Sequence, residues 1–174
     1  MTISQEFFVS GDFDDITRTI FEIDAAEYSY EFVKRLLNMS LDKGDREREL
    51  VSQLMSLLYP DVLSTSMICK GFERLFEIVD EVEKDVPHAR NHVATFLARA
   101  VLDEVIPPSF LSDSVVCNLG GEIVVQAKLL LSREHGGTKL ERIWGPGDGR
   151  PVSEMKVAID QCCEEYLLSG GFLK

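Results

Sequence analysis

Four carboxylates crowd the stretch DEVEKDVPHAR: Asp80, Glu81, Glu83 and Asp85, with Lys84 the opposing charge inside the run. His88 and His92 follow, four residues apart and on one face if the backbone is helical. Two chemistries suit such residues. Histidines at that spacing beside Asp85 and Glu81 are a possible donor set for a divalent metal; the alternative is that both are polar residues on the first turns of a helix. Fixed carboxylates at a helix end suit a positively charged protein surface. Asp85 alone could be a helix cap, since an acid there satisfies free N–H groups. Asp80, Glu81 and Glu83 are harder to explain that way, because acids at a helix C-terminus oppose the macrodipole. A cationic partner would explain that cost. Other enzyme signatures are missing. There is no Gly-x-Ser-x-Gly, and the glycines around Trp144-Gly145-Pro146-Gly147 are not followed by Lys-Ser or Lys-Thr, as a phosphate loop requires.

The elements that mount the acids are helical. Phe72, Leu75, Phe76, Val79 and Val82 recur at spacings of three and four before the corner, and Val93, Phe96, Leu97, Ala100, Val101 and Val105 do so after it. Each set is one apolar stripe of an α-helix. Pro87 suits the first turn of the second helix, where its missing N–H costs nothing, and Pro107-Pro108 ends it.

The rest of the chain follows the same pattern. Residues 2–9 read as a short helix, Ile16, Ile20 and Ile23 mark a second, residues 26–41 a third, and residues 45–59 a fourth with Leu50, Leu54, Leu57 and Leu58 on one side. Arg46, Glu47, Arg48 and Glu49 read as the solvated face of that helix. Ser64 is placed to cap the long helix leading to the acids. Only Val115-Val116-Cys117 and Ile123-Val124-Val125 have β-rich composition, and both are short. The expected fold is all-α, with antiparallel helix hairpins stacked in a HEAT-like α-solenoid. A helical domain is expected over residues 1–133, closed near Pro107-Pro108 and covered by a helix around residues 121–132. A glycine-rich linker is expected over 134–151, with Ile143 and Trp144 docked on the domain. A further helix is expected over 152–174. Its Glu165-Tyr166-Leu167-Leu168-Ser169-Gly170 matches Glu6-Phe7-Phe8-Val9-Ser10-Gly11 in spacing, as the opening of a second repeat would.

Composition narrows the function. The net charge is −12 and the pI about 4.7. Nucleic-acid binders need clustered Lys and Arg to displace counterions, so direct RNA or DNA binding is disfavoured. Cys69, Cys117, Cys162 and Cys163 form no CxxC pattern and read as free thiols in a reducing compartment. No run approaches the length of a membrane span and no signal peptide is evident. The expected location is the cytosol, shared with the nucleus, and the expected state is a monomer.

The stretch GFERLFEIVDEVEKDVPHARNHVATFLARAVLDEVIPPSFL, with its acidic corner, D-x-P and F-[IL]-A-R-A-V, resembles the MA-3 domain. FVKRLLNMSLDKGDRERELVSQLMSLLYPDVLS is similar to the family's second hairpin, and IWGPGDG leading into EEYLLSG looks like the junction between consecutive MA-3 domains of programmed-cell-death-4-like proteins. One difference is Gly170-Gly171, where the family's next repeat opens with Gly-Asp. The resemblance implies a HEAT-like module that binds the DEAD-box RNA helicase initiation factor 4A and inhibits it, repressing translation. It carries the helicase-binding acids onto Glu81 and Asp85, with Pro87 beside them, and a further family acid onto Asp42. It implies no cofactor and no catalytic residue. Two other functions compete: a scaffold module of the initiation-factor 4G type that recruits the helicase and supports it, and a metal-dependent enzyme using His88, His92 and Asp85.

Overall fold

A computed structural model describes residues 26–133 and 136–145. The expected helices over 2–9, around Ile16–Ile23 and over 152–174, and the matched Glu6 and Glu165 segments, lie outside the described residues. Helix α1 spans Ala26–Ser40, α2 Asp45–Leu58, α3 Thr65–Asp85 and α4 Ala89–Leu102. A 3-10 turn at Pro108–Ser112 leads into α5, Ser114–Gly120, α6, Glu122–Ser132, and α7, Gly136–Glu141. Among the described residues there is no strand, and no single helix is long and apolar enough to cross a membrane.

The helices pack as three successive hairpins: α1 with α2, α3 with α4, and α5 with α6, the last bent by 106° at its turn. Within the hairpins α1, α3 and α5 stack in one layer and α2, α4 and α6 in the other, and α7 packs on α4 and α6. Gly71 of α3 lies against Val33 and the Tyr30 carbonyl of α1, while Asp42 and Met39 meet Val82 and Val86 near the far ends. The first and third helices therefore run parallel, which is the geometry of stacked hairpins. Between the layers lies one apolar core, including Phe72, Leu75, Phe96, Leu97, Leu54 and Leu37. The all-α stacked architecture is as expected from the sequence.

Local signals explain the boundaries. The Ser64 hydroxyl accepts from the Met67 N–H and starts α3. Asp113 accepts from the Val115 and Val116 N–H groups at 2.9 and 3.1 Å, and that cap turns a valine-rich run into α5. Burial of Ile123, Val124 and Ala127 does the same for α6, so the β-rich composition of both segments yields to capping and packing.

Three expectations are corrected. Arg48 and Glu49 are not on a solvated face: they are 6% and 5% exposed. Arg48 donates to the Lys43 carbonyl and to Asp45, closing the α1–α2 turn. Leu57, assigned to the apolar side of α2, is largely exposed. Pro87 is in the turn before α4 and not in its first helical turn; His88 follows it at the N-cap position, in the left-handed region with φ 69° and with no side-chain cap bond. In addition, part of the glycine-rich stretch is helical, and it ends with Trp144 buried on Phe96 (ring centroids 4.5 Å apart) while Ile143 stays exposed. Both of the glycines that open α7 are therefore in regular structure.

Candidate functional site

All four acids of the corner lie in the last turns of α3, which continues to Asp85, the turn itself being Val86 to His88. Asp85 is thus the last residue of one helix and does not cap the next, for which no side-chain cap bond forms. The acids divide into two pairs. Asp80 and Glu83 point back toward α4, where Arg90 grips both, donating from Nε to Glu83 at 2.7 Å and from Nη2 to Asp80. Lys84 is therefore not the sole opposing charge. The pairing also offsets part of the macrodipole cost of acids at this helix end.

Glu81 and Asp85, one turn apart, lie on the other side. The Glu81 side chain is 76% exposed and, among the described residues, pairs with Lys84 alone, at 2.8 Å, in a surface pair. Such a pair contributes little and is readily exchanged for a partner. Asp85 is exposed and makes no ion pair among the described residues. It lines a surface cleft of about 310 Å³ that Asp42 and Lys43 also line, with Met39, Val82 and Val86 as its apolar part. Asp42 is exposed and paired with Lys43 at 3.3 Å. Pro87 is exposed in the adjoining turn. The structure thus brings Asp42 and Asp85 across one cleft, with Glu81 a turn away and Pro87 at the rim. What sequence reasoning missed is the apolar floor and the hold of Arg90 on half of the acids. Val82 and Val86, four apart, and Arg90, at the end of the acidic stretch itself, carry the signal for both.

Among the described residues, His88 and His92 are not joined by a third possible ligand. No cluster of three or more His, Cys, Asp or Glu side chains that could hold an ion occurs among the described residues. Burial, and then the nearby Arg48 charge, push the His92 pKa down, so its ring is neutral near pH 7. Cys69 is half-buried and its thiol is pushed up to about 11, by burial first and then by Glu73, which leaves it protonated and a poor nucleophile.

Sequence comparison gives the family. A model of the MA3 domain matches residues 1–107. The chain belongs to the MA3 domain family. Among its relatives is MA3 domain-containing translation regulatory factor 1 of Arabidopsis thaliana, 37% identical over 174 residues that cover 98% of this chain and 25% of the relative. Programmed cell death protein 4 of Homo sapiens is 30% identical over 172 residues, covering 97% of this chain and 37% of that protein. The chain spans about a quarter of the length of the plant relatives it matches. The MA3 match takes in both hairpins that carry Asp42, Glu81, Asp85 and Pro87, and ends before the 3-10 turn.

Behind the MA3 acidic corner lies a second, buried charge cluster. Arg99 donates from Nη1 and Nη2 to the two Glu49 oxygens at 2.8 and 3.1 Å, and from Nη1 to the Leu140 carbonyl at 3.1 Å. Its guanidinium also lies over the Trp144 ring at 5.8 Å. The pair joins α2, α4 and α7 and is almost wholly buried, so it is structural. Asp103 borders it, accepting from Ser56 at 3.4 Å. Burial raises the Asp103 pKa more than Arg99 and Ser56 lower it. The folded chain therefore holds this proton more tightly than the unfolded chain does, and ionised Asp103 works against folding. Stability from this group rises as pH falls through the raised pKa. Asp103→Asn is expected to stabilise the protein modestly at pH 7, with the gain shrinking on acidification; urea titrations of both proteins at two pH values check the sign.

Proposed function

We propose that this chain is a protein-binding module that takes the DEAD-box RNA helicase initiation factor 4A through Glu81, Asp85, Asp42 and Pro87 and inhibits its RNA unwinding, repressing translation initiation. The observation that carries the reading is the division of the acids. Arg90 holds Asp80 and Glu83 together, whereas Glu81 meets Lys84 in a surface pair and Asp85 stands exposed with no ion pair among the described residues, on a helix end beside a cleft lined in part by Met39, Val82 and Val86. A cationic side chain with a long aliphatic stem fits such a cleft: the stem covers Met39, Val82 and Val86 and the charge reaches Asp85 and Asp42. The plant relatives bear the name of translation regulatory factors, which supports translation as the setting. Binding through the basic surface on which a helicase handles RNA would keep RNA away from it.

Charge complementarity of this kind raises the association rate and makes it salt-sensitive. The test is a titration of the chain against initiation factor 4A at low and high salt, with RNA unwinding as readout. Unwinding is expected to fall with added chain, and less so at high salt. Glu81→Lys with Asp85→Ala is expected to weaken binding by about thirtyfold or more, with helicity and melting unchanged, because both residues are exposed. Binding that survives the double substitution would refute the site, and stimulated unwinding would turn the assignment to a scaffold of the initiation-factor 4G type.

A further inference from the structure

The exposed acids of the proposed binding surface differ in what already holds them. Asp85 has no ion pair among the described residues, whereas lysines of the chain itself sit on the other two. Lys84 Nζ donates to both Glu81 oxygens at 2.8 Å, from within the same turn of α3. Lys43 Nζ donates to Asp42 at 3.3 Å and lines the cleft that Asp42 and Asp85 share. In each pair the partners are chain neighbours, three residues or one residue apart, so a displaced amine stays close to its acid.

A cation arriving at Glu81 or Asp42 therefore meets an ammonium already in place. Exchanging one cation for another on an exposed carboxylate gains little, and the displaced lysine is left beside an incoming like charge. Asp85 imposes no such exchange. Lys84 has a plainer use as well, because it is the basic residue in the last turn of α3, where a cation complements the macrodipole. The two uses predict opposite results when its charge is removed. A merely structural Lys84 steadies the helix end that mounts the acids, so its loss would weaken binding. A competing Lys84 withholds Glu81, so its loss would strengthen binding.

We propose that Lys84 and Lys43 are internal competitors for Glu81 and Asp42, which a cationic partner must displace; this rests on the reading of these acids as the helicase-binding surface. Titrations of the 174-residue chain against initiation factor 4A test it, with K84Q and K43Q each made alone and together with loss of the acid concerned. Glutamine has nearly the helix propensity of lysine, and Arg48 is held by the Lys43 carbonyl, which K43Q keeps. Each single variant should bind about two- to fivefold tighter, the range set by the strength of a surface pair, with melting unchanged. K84R, which retains the charge, should give no gain. Without the acid there is nothing to withhold, so most of the gain should vanish: E81Q/K84Q should bind much as E81Q does, and D42N/K43Q much as D42N does. Two results overturn the competition while leaving the binding surface standing. One is K84Q and K43Q that bind no tighter although E81Q and D42N weaken binding; the other is gains that persist undiminished without the acids. Binding that neither E81Q nor D42N weakens removes the surface itself, and the proposal with it.

Discussion

Arg99→Ala is expected to destabilise the fold by about 3–5 kcal/mol. Glu49 and Arg99 are both almost fully buried, and their two hydrogen bonds satisfy each charge against the other. Removing the guanidinium leaves a carboxylate in the interior with, among the described residues, only the Gln53 amide, at 2.9 Å, still donating to it. The Leu140 carbonyl loses its donor at the same time, and the Trp144 ring loses the cation above it. The loss should therefore appear in two signals: urea unfolding followed by helical circular dichroism, and a shift of Trp144 emission toward that of a wetter indole. Glu49→Met with Arg99→Met should recover most of the stability, since replacing both partners of a buried pair by apolar groups of similar size removes the stranded charge. A loss under about 1 kcal/mol for Arg99→Ala would mean that the pair behaves as a surface pair does.

Gly71→Ala is expected to cost about 2–3 kcal/mol, although alanine is the better helix former by about 1 kcal/mol. A Cβ at this position would stand 2.5 Å from Val33 Cγ1, 2.6 Å from Val33 Cβ and 3.1 Å from the Tyr30 carbonyl. Neither the branch point of a valine nor a backbone oxygen can swing away, so α1 and α3 must separate. Their separation would open the core around Phe72 and move the Asp42 side of the cleft away from Asp85. Gly137→Ala provides the control. Its Cβ would meet only Leu102 Cδ1, at 3.6 Å, an ordinary contact. That change should be neutral or stabilising by about 0.4–1 kcal/mol. Thermal melts of the two variants side by side read the contrast, and equal melting temperatures would contradict the close approach of α1 and α3.

The contrast between Gly71 and Glu49 shows what the sequence made legible. Helix periodicity placed the stripes of α3 and α4 because packing on a common core imposes the same spacing on both, and Ser64 marked a helix start through its own chemistry. The all-α stack could be read for that reason. Tertiary partners could not. Arg46-Glu47-Arg48-Glu49 looks like a solvated run, because periodicity counts charges as outward. Burial of the last two depends on Arg99, fifty residues away from Glu49, and on a turn that Arg48 closes. The acidic corner was visible as composition, but the division of labour within it was not. Asp80 and Glu83 differ from Glu81 and Asp85 only in the direction they leave the helix, and in whether Arg90 is within reach. The docking of Trp144 could be read from the sequence, but the helix α7 before it depends on contacts to α4 that glycine-rich composition conceals.

Arg90 acts as a rheostat on the surface that this helix end shows to the outside. With Asp80 and Glu83 it leaves one net negative charge where there would be two, so a cation approaching from the α4 side meets less attraction than it would without this side chain. A chain without Arg90 would attract positive ligands from a wider range of directions, encountering them faster and discriminating among them less well. One guanidinium thus weakens the pull of one side of this tip of the molecule.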